Sequence, residues 1–124
     1  MVFEFDISEA ESLVSIRVEG MGDFHKGIAN VLAVANDIRF KDGFNILVDL
    51  CRLNYHPSLS ELRDFADVLI SLKDKCSGKT AIVVSNFFHF GFGKLLGGFL
   101  EIAGIQLRVF HHSLDAMTWF KAER

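Results

Sequence analysis

The side chains in this chain that could do chemistry crowd into residues 85–101, SNFFHFGFGKLLGGFLE, where five phenylalanines, four glycines, a histidine and a lysine fall together. A strand-like run, TAIVVS, comes just before, so the glycines stand where a phosphate-cradling turn would stand. The spacing does not fit one. GFGKLLGG is not GxGxxG, because the third glycine falls at the wrong offset, and it is not GxxxxGK[ST], because Leu95 follows Lys94. The glycines read instead as backbone geometry: Gly91 and Gly93 for a tight turn, Gly97-Gly98 for close approach to a neighbour. A helix is expected from Gly91 to about Ala103. That puts Lys94 in its first turn, where the dipole disfavours a cation and a bound anion would reverse the penalty. Phe92, Leu95, Leu96, Phe99 and Leu100 have helical spacing and read as its packed side. Phe87, Phe88 and Phe90 then fall in a strand-to-helix connection. Apolar side chains there either fold back over the core or line a contact. With His89, Phe92 and Lys94 they make the candidate ligand or partner surface.

Other chemistry finds less support. His25, His56, His89, His111 and His112 contain no HxxxH pair, and the adjacent His111-His112 would point to opposite faces of a strand. No metal site is assigned. Cys51 and Cys76 have neither metal spacing nor an identifiable electropositive setting, and two cysteines make no disulfide scaffold. GxSxG is absent. Asp49, at the end of an apolar strand, is either a site carboxylate or a cap for a neighbouring loop. No catalytic residue and no cofactor is assigned, and the chain is expected not to be an enzyme.

The bulk composition narrows the partners. Formal net charge is −3 and no dense Lys/Arg run occurs, so nucleic acid and anionic membrane surfaces are not expected. Thirteen phenylalanines against one tyrosine and one tryptophan, without a cationic groove, look like packing material and not a base-stacking platform. Half the residues are hydrophobic and 23% charged, a globular composition. The length fits one domain over 1–124 with a real core. MVFEFDISEAE carries acids where a signal peptide needs bases. The longest uncharged run, Thr80–Gly93, is too short to span a bilayer, so no transmembrane segment is expected. Sparse cysteine suits a reducing cytoplasm.

The elements that must position these residues follow from periodicity. Phe3, Phe5 and Ile7 alternate with acids, and Val14, Ile16 and Val18 with Ser15, Arg17 and Glu19: two strands joined by a short polar turn, hence an antiparallel hairpin with one wet face. Gly20 and Gly22 break the pattern. Asp23 is a helix cap before Phe24, Ile28, Val31, Leu32 and Ala35. Asp42-Gly43 turns the chain into FNILVDL, a continuous apolar strand and so a central one. Ser58-x-x-Glu61 is a capping box opening a helix with Leu62, Phe65, Ala66, Leu69 and Leu72 on one stripe. Ser77-Gly78 closes that helix before the AIVVS strand. After the third helix Gly104 stops the chain, QLRVF reads as a strand, and Ser113 caps a last helix. The order is β-β-α-β-α-β-α-β-α, an α/β fold with a mixed, mostly parallel sheet.

The residues ILVDLCRLNYHPSLSELRDFADVL, together with Ala81–Val84, Phe90-Gly91-Phe92-Gly93-Lys94 and Val109-Phe110 through Asp115-Ala116 to Trp119, resemble the STAS/SpoIIAA-like family, small stand-alone bacterial domains similar to anti-sigma-factor antagonists. The resemblance covers nearly the whole chain and implies helices packed largely on one face of the sheet. In those antagonists a serine opening the helix after the VDL strand is phosphorylated and switches partner binding, which would make Ser58 the phosphoacceptor. The antagonists show an Asp-Ser-Ser-Gly-like loop, whereas this chain has His56-Pro57-Ser58-Leu59-Ser60, so a capping role for Ser58 stands beside the switch. The fold also looks like the lipid-transfer domains of CRAL-TRIO type, which bind apolar ligands between sheet and helices. Two readings result. One is a non-enzymatic regulatory or protein-interaction module that meets a partner or itself as a homodimer. The other is a carrier or sensor of a small apolar or amphiphilic ligand, with Phe87, Phe88, Phe90 and Phe92 walling the pocket and Lys94 meeting an anionic head group.

Overall fold

Five strands form one sheet in the order β1-β2-β3-β4-β5 in a computed structural model that describes residues 1–122. They are β1 (Val2–Ser8), β2 (Leu13–Met21), β3 (Asn45–Asn54), β4 (Lys79–Val83) and β5 (Gln106–Phe110). The hairpin β1-β2 is antiparallel, and every later neighbour pairs in parallel. The helices are α1 (Phe24–Ala35), α2 (Leu59–Ser71), α3 (Phe87–Ile102) and α4 (Ser113–Lys121). Sheet order equals chain order, so three successive right-handed crossovers put α1, α2 and α3 on one face. α4 follows the last strand and covers the other. No helix among the described residues is long and apolar enough to cross a membrane.

Burial follows this division. Ile7, Val14, Ile16, Val18, Ile46, Ile82 and Val84 meet Leu62, Ala66, Leu96 and Leu100 in the main core. The opposite face of the central strands, Ala81 and Val83, packs on Ala116, with Leu47, Cys51, Phe110 and Trp119 around it. α4 reaches only that half. The hairpin keeps its outer face wet, where Arg17 bridges Glu4 at 2.9 Å and Glu19 at 3.1 Å. This is the one-sided edge that the alternation in the sequence predicts.

Several boundaries differ from the sequence expectation. α3 begins at Phe87, four residues before Gly91, because Asn86 caps it: its side chain accepts the His89 backbone N–H at 2.8 Å. Phe87, Phe88 and Phe90 are therefore helical, and only Val84-Ser85-Asn86 connects β4 to α3. Lys94 lies in the second turn, so the first-turn dipole argument does not apply to it. α2 ends at Ser71 with Leu72 as its C-cap, short of Ser77-Gly78, and α4 is capped at His112, not Ser113, without a side-chain bond. β2 continues through Gly20 (φ +83°) to Met21 and β3 to Asn54, both beyond their expected ends. Between them the register slips: Arg17 pairs with Asp49 but Glu19 with Arg52, so two steps of β2 span three of β3. This bulge turns both Leu50 and Leu53 to the helix face.

Candidate functional site: an apolar cavity beneath α1

Between the sheet and helices α1 to α3 lies a cavity of about 250 Å³. Its floor is the inward row of the sheet: Ile16, Val18, Ile46, Val48, Thr80, Ile82 and Val84. α1 forms its least sealed wall. That helix fully buries only Val34 and Ala35, at its C-terminal end, while Phe24, Ile28 and Val31 line the cavity half-buried. The cavity is larger than the roughly 150 Å³ that takes benzene in an engineered protein and close to the roughly 300 Å³ at which ligand pockets usually begin.

Six polar side chains reach this lining: Asp23, Tyr55, Glu61, Lys75, Thr80 and His89. Five are committed elsewhere. The Asp23 carboxylate accepts the Lys26 N–H at 3.1 Å, capping α1. The Tyr55 hydroxyl donates to Glu61 Oε2 at 2.7 Å, and Glu61 Oε1 accepts the Ser58 N–H at 2.9 Å. These bonds hold the Glu61 carboxyl below its ordinary range, and the Glu61 bond first, then burial, pushes the Tyr55 hydroxyl up to about 12. Lys75 Nζ donates to the Phe40 carbonyl at 2.7 Å and sits 3.5 Å from Asp42. His89 Nε2 lies 2.7 Å from the Tyr55 carbonyl, which can only accept, so Nε2 carries the hydrogen and Nδ1 faces the Asn86 amide at 3.3 Å. Thr80 is the exception. Its Oγ1 is buried and, among the described residues, without a hydrogen-bond partner.

The residues singled out by sequence share a surface only in part: Phe87, Phe88 and Phe92 border one shallow outer depression with Gly91 and Leu95, while His89, Phe90 and Lys94 lie elsewhere. Phe87 is 88% exposed, and Phe88 is half-exposed between the edge of His56 at 4.4 Å and Phe92 at 4.7 Å. Phe90 stacks on His111 at 4.5 Å, and Lys94 Nζ lies 5.5 Å from the Phe90 ring on the outside of α3. His89 and Phe92 turn inward to the cavity. His89 is a strut tying the β3–α2 connection to the first turn of α3, not a surface group. Ser58 is the N-cap of α2 and completes the capping box with Glu61, accepting its N–H at 3.1 Å. A phosphate on Ser58 would set its charge against that carboxylate. Asp49 accepts the Cys51 N–H at 2.9 Å, which satisfies an amide freed by the β3 bulge. Burial first, then Asp49, pushes the Cys51 thiol up to about 11, and burial alone does the same for Cys76. Neither is a ready thiolate at neutral pH.

The cavity was not visible in the sequence as a site. Its lining reads as ordinary amphipathic core, and the one usable signal was a threonine on the apolar face of a buried strand.

No family model matches the chain, and no curated protein is similar to it at a significant level. A solved structure is. An uncharacterized protein of the DUF3478 family from Shewanella loihica PV-4, with a SpoIIAA-like fold, superimposes with a TM-score of 0.63 over 96% of this chain and 92% of that one, at 13% sequence identity. The strand order, the antiparallel first hairpin and the three helices on one face agree with that likeness. The chain has a SpoIIAA-like fold. At this identity the likeness speaks for the architecture of the SpoIIAA-like domain and for nothing it binds.

Proposed function

We propose that this SpoIIAA-like domain is a non-enzymatic module that carries or senses a small apolar or amphiphilic molecule in the cavity beneath α1. The cavity itself carries the reading. Cores usually close to near-crystalline density, and a void of this size leaves its lining without contacts that a ligand would supply. The polar groups around it serve capping and strut bonds, which speaks for binding and not for turnover. The test is a fluorescence titration with naphthalene, with native mass spectra of the purified protein alongside. Saturable one-to-one binding is expected, and a co-purifying molecule would name the ligand class. Absence of saturable naphthalene binding would overturn the reading.

A second reading, that the domain also meets a protein partner, is favoured by the outer side of α3. Phe87, Gly91, Leu95, Gly98 and Ile102 follow one another along one exposed stripe, with Ile102 90% exposed. A second copy of the chain is the first partner to test, by sedimentation of wild type and Phe87→Ser. A dimer that Phe87→Ser dissociates is expected, and a monomer at high concentration would remove the homodimer.

A further inference from the structure

Resting on the reading of the cavity as a ligand site, we infer that it takes a neutral molecule with one hydrogen-bonding group, anchored by Thr80, and rejects carboxylates. Two polar residues are buried among the described residues, Thr80 and His89, each 7% exposed, and both line this cavity. His89 has bonds at both ring nitrogens; Thr80 has none. A buried hydroxyl without a partner costs free energy, which a ligand group would recover. The Thr80 hydroxyl is itself shut off from the cavity, whose surface is almost wholly apolar, so the anchor requires one staggered step about χ1 that turns Oγ1 toward the ligand.

The charges around the cavity decide the ligand's charge. A carboxylate inside would need a cation. Lys75 is already held by the Phe40 carbonyl and Asp42 and lies against the Phe40 ring at 5.4 Å. Lys94 is outside the wall. The other charged groups at the lining, Asp23 and Glu61, are themselves carboxylates and repel an anion. A buried unpaired carboxylate is far costlier than a buried neutral hydroxyl.

Position and size follow from the register. Thr80 opens β4, level with Ile46 and Leu107, while His89, Tyr55 and Glu61 gather past the opposite ends of the strands. The polar group of the ligand therefore sits at the Thr80 end and its apolar body runs along Ile82 and Val84. The volume suits on the order of ten non-hydrogen atoms, scaled from benzene in a roughly 150 Å³ cavity.

Decan-1-ol and decanoate are nearly matched in size and differ in charge at pH 7. Each would be titrated against bound naphthalene, in wild type, Thr80→Val and Thr80→Ser. Decan-1-ol is expected to displace naphthalene, with decanoate at least about a hundredfold weaker because its charge is unpaired. Thr80→Val should weaken decan-1-ol by about five- to tenfold relative to naphthalene measured in the same variant, one neutral hydrogen bond. Thr80→Ser keeps the hydroxyl and should keep the preference. Decanoate binding as well as decan-1-ol would overturn the charge selection while leaving the cavity a ligand site. Equal decan-1-ol affinity in wild type and Thr80→Val would overturn the anchor. Failure of naphthalene itself would sink the ligand reading beneath both.

Discussion

Glu61 serves two donors with one carboxylate, the Tyr55 hydroxyl on Oε2 and the Ser58 amide on Oε1, while its own amide donates to the Ser58 hydroxyl. This closes the first turn of α2 and pins the chain that leaves β3. Both bonds favour the ionised form, so the folded-state pKa lies below the ordinary value near 4.5. A depressed carboxyl adds stability that is present above its unfolded value and is lost as pH falls through the folded one. Wild type should therefore lose Tm on acidification from about pH 4.5 downward. Glu61→Gln keeps the shape but has no such titration, so its Tm profile over that window should be flatter. Thermal scans of the two proteins from pH 6 to pH 3 check this, and parallel profiles would remove Glu61 from the acid response. Asp49 acts at the same scale: its bond to the Cys51 amide stabilises the bulge that brings Leu50 and Leu53 to one face.

At the scale of elements, α3 owes its place to two of its four glycines. A Cβ on Gly93 would stand 2.9 Å from the Val109 side chain, and one on Gly97 would stand 2.9 Å from the Leu107 carbonyl oxygen, which is backbone and cannot swing away. These positions, one turn apart, let the helix lie directly on β5. Gly91 and Gly98 face open space. The two classes should respond oppositely to alanine. Gly97→Ala is expected to cost about 2 kcal/mol through overpacking against β5. Gly98→Ala should gain about 0.5–1 kcal/mol, the helix propensity of alanine over glycine. Urea midpoints at constant m-value measure both, and a shared sign would contradict this packing. The end of α3 is set by a Schellman motif: Ile105 N–H donates to the Leu100 carbonyl and Gly104 N–H to that of Glu101, with Gly104 at φ +83°.

At the scale of the whole molecule, three helices share one face of the sheet but do not seal it equally. α2 and α3 seat Leu62, Ala66, Leu96 and Leu100 deep in the core, whereas α1 is seated mainly at its C-terminal end. The cavity is the space that α1 leaves. Filling it should stabilise the empty protein and remove its binding. Val48 is half-buried at mid-strand with its side chain on the cavity floor. Val48→Phe is expected to raise Tm by about 4 °C, as cavity-filling substitutions commonly give roughly 1 kcal/mol. The same variant should lose naphthalene binding. A lower Tm with binding intact would mean that the cavity relaxes around the new ring and is not a fixed site.

The element order, the antiparallel hairpin and the parallel central strands are legible in periodicity alone, and the SpoIIAA-like architecture in the resemblance those segments carry. Strand alternation, the Ser58–Glu61 capping box and the stops at Gly43 and Gly104 are local, and local chemistry writes them directly. Most of this held, while the start of α3 did not: Asn86 caps it through one side-chain bond, and the glycines after it suggested a loop where tertiary packing keeps a helix. The candidate site was far less legible. Phe87 through Lys94 are adjacent in sequence, but the helical turn keeps only Phe87, Phe88 and Phe92 around one outer depression and sends His89, Phe90 and Lys94 elsewhere. The cavity gathers residues from β1 to β5, and its walls are apolar side chains indistinguishable from core until their separations are known. That Thr80 finds no partner among the described residues follows from what the neighbouring strands and helices bring within its reach, which no local pattern encodes.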